Sequence, residues 1–216
     1  MNCCSPINVD TGRVFSRFAG LHRVRFRLLG FERTQRQLLQ GIKAAGLEHA
    51  ELLEVGCGPG YLHQALLRAG AARAIGVDLS AGMLDLARAA AEAGGLAQRT
   101  DYRLGDFVAL ADRLPDADIT ILDKVVCCYP DWQALLDRSL AKTRRFYALT
   151  YPRDRGLTRL GVSLMGWGLG SMGCCYQPYL HDPKKIQARI VDHGFRMFYS
   201  ALTFAWHTQV FERTAP

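Results

Sequence analysis

The chain has 216 residues, 49% of them apolar and 22% charged, with a formal net charge of +7. That length suits one domain with a terminal extension and a substantial core, and the composition excludes disordered, collagen-like and low-complexity chains. No run approaches the roughly 20 apolar residues that span a bilayer, and Met1-Asn2-Cys3-Cys4-Ser5-Pro6 lacks the charged start and apolar run of a signal peptide.

The positive charge is concentrated in the first segment. Up to Gly46, Arg13, Arg17, Arg23, Arg25, Arg27, Arg33, Arg36 and Lys43 face only Asp10 and Glu32. Such an arm suits an anionic partner (a carboxylate or phosphate substrate, an acidic protein, a membrane surface) or is simply a solvated helix face. Its apolar rhythm predicts two helices parted by Gly30 and stopped at Gly46, so residues 1–48 read as a basic helical extension. The seven cysteines form the pairs Cys3-Cys4, Cys127-Cys128 and Cys174-Cys175, plus Cys57. An odd total without a regular framework reads as reduced thiols and a cytoplasmic address.

From residue 49 to 216 strand and helix signals alternate. Glu51–Val55, Ala74–Asp78, Asp101–Leu104, Ala117–Asp123 and Phe146–Tyr151 read as strands. A helix follows the glycine-rich turn at Gly56–Gly60, Ser80 caps another running to about Ala93, and a third lies near Pro183–His193. Long returns between strands imply parallel pairing, giving a doubly wound, Rossmann-like α/β fold. Arg196–Leu202 and Trp206–Arg213 are close enough to form a hairpin, which makes the C-terminal strand antiparallel. Residues 157–180 are apolar, interrupted by five glycines and free of charge between Arg159 and His181. This insertion reads as a lid, with membrane contact, a dimer contact or a core helix as alternatives.

Glu54-Val55-Gly56-Cys57-Gly58-Pro59-Gly60 lies between a strand and a helix, and Asp78 ends the next strand. Glycines let a ligand approach the backbone, the helix start offers free N–H groups, and a strand-end carboxylate can accept both ribose hydroxyls. The G-x-G-x-G spacing departs from the dinucleotide fingerprint G-x-G-x-x-G, which disfavours a nicotinamide dehydrogenase.

With Val77-Asp78-Leu79-Ser80 and Gly105-Asp106-Phe107, these residues resemble three motifs of the class I S-adenosylmethionine-dependent methyltransferases over roughly Glu51 to Arg213. The resemblance implies S-adenosylmethionine as cofactor. Gly56, Cys57, Gly58 and Gly60 would line its methionine and ribose, and Glu54 would hold the ammonium. Asp78 would take the ribose hydroxyls and Leu79 would pack on the adenine. Asp106 would accept from the adenine amino group, Phe107 would cover the ring, and Asp123 and Lys124 would flank the sulfonium.

In open α/β sheets ligands bind beyond the carboxyl ends of the strands. Tyr129, Tyr151, Asp123 and His207 are therefore the candidates for catalytic polar or base roles, and no resident metal is expected. The basic arm and apolar lid suggest a small, apolar, anionic methyl acceptor, with O-methylation slightly favoured. Cys128-Tyr129-Pro130-Asp131, the arm and the insertion give some resemblance to the magnesium-protoporphyrin O-methyltransferases, which illustrates that substrate type. RNA or protein methylation is the alternative, although nucleic acid is disfavoured because no N-P-P-Y or D-P-P-Y tetrapeptide follows the fourth strand. A non-catalytic cofactor-binding protein is another alternative, and peripheral membrane contact stays open. Oligomeric state is not legible.

Overall fold

The computed structural model describes residues 12, 16, 20–21, 23–154, 156 and 179–214. Most of the expected lid at 157–180, the beginning of the arm, and Cys3, Cys4, Cys174 and Cys175 lie outside the described residues.

Five segments form parallel strands: β1 (Glu51–Val55), β2 (Arg73–Asp78), β3 (Thr100–Leu104), β4 (Ala117–Asp123) and β5 (Thr143–Pro152). β6 (Phe195–Leu202) and β7 (Trp206–Arg213) form the hairpin. All seven join one sheet in the order β3-β2-β1-β4-β5-β7-β6. β7 is antiparallel to both β5 and β6, so the last strand is the reversed one, and it inserts between its two neighbours. The order reverses between β1 and β4, which opens a crevice at their carboxyl ends.

After the arm's helical stretch, which includes residues 23–29, six described helices cover the sheet: α1 (Arg33–Ala44), α2 (Tyr61–Arg68), α3 (Ala81–Ala93), α4 (Phe107–Leu110), α5 (Trp132–Ala141) and α6 (Pro183–Asp192). Side chains alternate along each strand, and this assigns the two cores. Leu52, Ile121 and Ala148 pack with Leu38, Ile42, Leu62 and Leu66 of α1 and α2. Their neighbours Leu53, Leu122 and Leu149 pack with Phe107, Leu135, Leu136, Ile186 and Ile190 on the other face. β4 and β5 are buried almost end to end, as strands covered on both faces must be, whereas β6 alternates as an edge strand.

Helix starts follow local chemistry. Ser80 caps α3 by accepting from the Met83 N–H, and Asp182 caps α6 ahead of Pro183. Residues 20–21 and 23–29 are helical, Gly30 turns the chain at φ +63°, and α1 begins at Arg33, so Gly30 parts two helices as expected.

Candidate active site

A cavity of about 290 Å³ lies beyond the carboxyl ends of β1, β2 and β4. Its floor is the turn after β1, where Gly56, Gly58 and Gly60 all have φ between +52° and +72°. An L side chain is strained there, and a Cβ on Gly58 would meet no protein atom within 4 Å. Gly58 thus leaves its backbone open to a ligand. Gly60 does not line the cavity; it caps α2.

The acidic side chains each have a defined setting. Asp78 accepts from the Gly58 N–H through Oδ2 and from the Ser80 N–H through Oδ1, both at 2.8 Å. Burial raises its pKa despite these donors. A carboxylate oxygen has more than one acceptor site, and Asp78 lines the cavity. Glu54 is 3% exposed and its Oε2 lies 2.5 Å from His63 Nδ1. His63 Nε2 in turn lies 3.0 Å from the Tyr102 hydroxyl, which also accepts from Gln64 Nε2 at 3.1 Å. Burial pushes the Tyr102 pKa up to about 12, so this chain carries no phenolate.

Asp123 ends β4. Gln35 Nε2 donates to its Oδ2 at 3.1 Å, while its buried Oδ1 has no hydrogen-bond partner among the described residues. Burial raises its pKa to about 6, against the pull of Lys124 and Gln35. Lys124 follows at φ +60°, an uncommon conformation for a residue with a side chain. Its ammonium pairs with Glu32 and lies 5.2 Å from the centre of the Trp206 ring. Glu32 also binds Arg25 at 2.5 Å, so two cations share one carboxylate beside the cavity.

The structure gathers most of the expected residues. Glu54, Gly56, Cys57 and Gly58 line the cavity, as do Asp78, Leu79, Asp106, Phe107, Asp123, Lys124 and Tyr129. Tyr129 has a different setting from a free base. Its hydroxyl lies 2.9 Å and 3.0 Å from the two Asp106 oxygens and donates to that carboxylate. Asp106 also caps α4 through the Val108 N–H. Tyr151 and His207 do not line the cavity. The Tyr151 side chain is buried; its hydroxyl donates to Gln209 at 2.5 Å, accepts from Gln187 at 2.9 Å and lies 3.3 Å from His207 Nδ1. Burial holds the Tyr151 pKa up at about 12 and His207 below its ordinary value. They form a polar link between β5, β7 and α6, placed there by the Tyr151–His207 register of the reversed strand.

Sequence reasoning missed the cavity's outer wall. Phe26 stacks on Tyr61 at 3.8 Å between ring centres, and Arg25, Glu32 and Gln35 complete that side. The Glu32–Gln35 spacing is a capping signal that was readable, but nothing local tells that Gln35 also reaches Asp123. Burial raises the Cys57 thiol well above its ordinary value, and the hydrogen bond with Cys128 together with burial does the same for Cys127, so neither is a ready thiolate. Among the described residues no three His, Cys, Asp or Glu side chains gather as a metal site.

A glycine floor, a strand-end carboxylate and a reversed seventh strand define the class I methyltransferase fold. Sequence comparison agrees: residues 52–145 match the methyltransferase domain family. A 69-residue stretch is 45% identical to the ubiquinone biosynthesis O-methyltransferase of Actinobacillus pleuropneumoniae serotype 7. That stretch is 31% of this chain and spans only 28% of the relative's length. Among solved structures, magnesium protoporphyrin IX methyltransferase from Synechocystis PCC 6803 with bound SAM superposes with a TM-score of 0.71 at 19% identity, covering 99% of this chain and 100% of that one. A putative sarcosine dimethylglycine methyltransferase from Galdieria sulphuraria gives 0.68 at 13% identity, over 84% and 86%. At such identities the structural likeness is one of fold.

Proposed function

We propose that this protein transfers a methyl group from S-adenosylmethionine to a small, apolar, anionic acceptor, with oxygen the favoured target. The observation that carries the reading is Asp78, fixed at the end of β2 by the Gly58 and Ser80 N–H groups in the lining of the cavity. The residues fit the cofactor. Asp78 suits the ribose hydroxyls, Gly58 leaves room for the chain that carries them, and Glu54, anchored by His63, suits the ammonium. Asp106, Phe107 and Leu79 supply the adenine end, with Tyr129 holding Asp106 in place.

When bound, the cofactor supplies an electrophilic methyl group on a sulfonium. The protein's part is to align the acceptor, exclude water and, where the acceptor carries a hydroxyl, take its proton. Asp123 suits that last role, because its buried Oδ1 has no hydrogen-bond partner among the described residues and burial raises its carboxyl pKa to about 6. A carboxylate acceptor would need no base. Arg25 and Lys124, both paired with Glu32 at the cavity edge, are the cations that an anionic acceptor would meet. The partial relative, itself an O-methyltransferase by name, supports oxygen as the target.

Calorimetric titration with S-adenosylmethionine, S-adenosylhomocysteine and NADH tests the cofactor. Saturable binding of the two sulfur compounds alone, weakened at least tenfold by Asp78→Ala, is expected; preference for NADH overturns the reading. With an acceptor in hand, a rate that rises through about pH 6 and loses that limb in Asp123→Asn identifies a hydroxyl acceptor.

A further inference from the structure

The helix that walls the cavity has an opposite face that the methyl-transfer reading does not use. Phe26 points inward onto Tyr61, whereas Leu21, Val24 and Leu28 recur at the spacing of one helix face and are 64%, 50% and 77% exposed. Leu29 beside them is 71% exposed. Arg23, Arg27, Arg33 and Arg36 are exposed on the same segment, and between residues 20 and 40 five arginines oppose Glu32 alone. A helix with leucines outward and arginines at its flanks has the composition of an interfacial helix, not of an ordinary solvated one.

A second apolar projection lies at the same end of the sheet. The turn between β6 and β7 carries Phe204, 65% exposed, after Leu202, 47% exposed. This turn is held beside the carboxyl end of β5 by the Arg153 N–H donating to Ala205 O at 2.8 Å. It is tied to the arm by Gln37 Nε2 donating to Leu202 O, and by Lys124, which touches both Glu32 and Trp206. The leucine face and the hairpin tip thus flank the cavity, and both are fastened to the residues that line it.

We propose that this face docks on an anionic lipid bilayer, with Leu21, Val24, Leu28 and Leu29 entering the headgroup–acyl boundary and the arginines meeting lipid phosphates. Charge complementarity selects this occupant. A second copy of a chain with net charge +7 would bring two arginine-rich segments together, whereas anionic lipid neutralises them. No helix among the described residues is long and apolar enough to cross a membrane, so the contact is peripheral. Because the inserted helix is also the cavity wall, docking turns the cavity mouth toward the lipid and lets an apolar acceptor arrive from the bilayer. The docking itself does not depend on the identity of the cofactor.

Flotation of the full chain with phosphatidylcholine vesicles, with and without phosphatidylglycerol, tests it. Retention on the anionic vesicles alone, weakening with salt, is expected. Leu28→Gln with Leu29→Gln should reduce binding at least tenfold, and Arg33→Gln with Arg36→Gln by about fivefold per arginine. All four positions lie outside the cavity, so a melting curve like that of the parent establishes that the variants fold. Equal retention on neutral vesicles, or none on anionic ones, overturns the proposal. So does a dimer in sedimentation equilibrium that the leucine substitutions abolish, since that face would then belong to a second copy. S-adenosylmethionine titration of the same samples reports the cofactor separately, so failure of docking and failure of the cofactor reading are distinguishable.

Discussion

Asp123 shows how burial converts an ordinary carboxylate into a pH-sensitive one. Its folded pKa of about 6 lies above its ordinary 3.8, so the folded state holds the proton more tightly than the unfolded chain. Its contribution to stability is therefore greatest at low pH and is lost as pH rises between those two values. Asp123→Asn removes that loss: relative to the parent, the variant should gain about 2 kcal/mol between about pH 4 and about pH 7. Urea denaturation at the two pH values measures it. Gln35→Ala removes the hydrogen bond that favours the ionised form, so the acid limb of the activity profile should move to higher pH. Glu54 is held by a side-chain partner instead. His63→Phe leaves the buried Glu54 carboxylate only the backbone N–H of residue 63 and should cost about 2–3 kcal/mol in denaturant titration, with cofactor affinity falling as well.

Between elements, two contacts decide how the site is assembled. α1 lies against the hairpin so closely that a Cβ on Gly41 would come within 2.6 Å of the Tyr199 ring and 2.8 Å of Val210. Gly41→Ala should therefore cost about 1–3 kcal/mol, read as a lowered melting temperature, since neither neighbour can move without disturbing β6 or β7. Tyr151 belongs to the link between β5, β7 and α6. Tyr151→Phe leaves Gln209 and Gln187 without that partner and should cost about 1 kcal/mol in the same measurement. Methyl transfer should be unaffected, because the hydroxyl does not line the cavity. A large fall in turnover at unchanged stability would restore Tyr151 to the catalytic candidates.

Across the whole molecule, the parallel core and the arm have different physical origins. β1, β4 and β5 are apolar enough to be buried on both faces, and the strand order creates a crevice at the end of β1, with Asp78 and Asp123 ending the strands on either side of it. The arm closes that crevice through polar contacts, Gln35 to Asp123 and Glu32 to Lys124, and leaves its leucines outward. Raising the salt concentration should weaken the Glu32 pairs, which are partly exposed, while leaving the sheet intact. Hydrogen exchange should accordingly speed up at 23–29 with added salt and stay unchanged in β4 and β5.

The strand bounds Glu51–Val55 and Ala117–Asp123, the Ser80 cap and the glycine turn were all legible because they depend on neighbours in sequence: apolar runs, a capping hydroxyl, positive φ. α5 was not singled out, since the segment 132–141 carries only a modest apolar stripe and becomes a helix by packing Leu135, Leu136 and Leu140 on β5's face of the core. The same distinction separates the candidate site residues. Glu54, Asp78 and Asp106 sit at strand ends or caps that local pattern specifies. Tyr129 and Tyr151 looked equivalent, as tyrosines after β4 and at the end of β5, until the tertiary structure turned one onto Asp106 and buried the other beside His207 and Gln209. The insertion of β7 between β5 and β6, and the reach of Gln35 across 88 positions to Asp123, were likewise decided only in three dimensions. A hydrogen bond between distant residues leaves no periodicity in the sequence, whereas a strand, a cap or a glycine turn does.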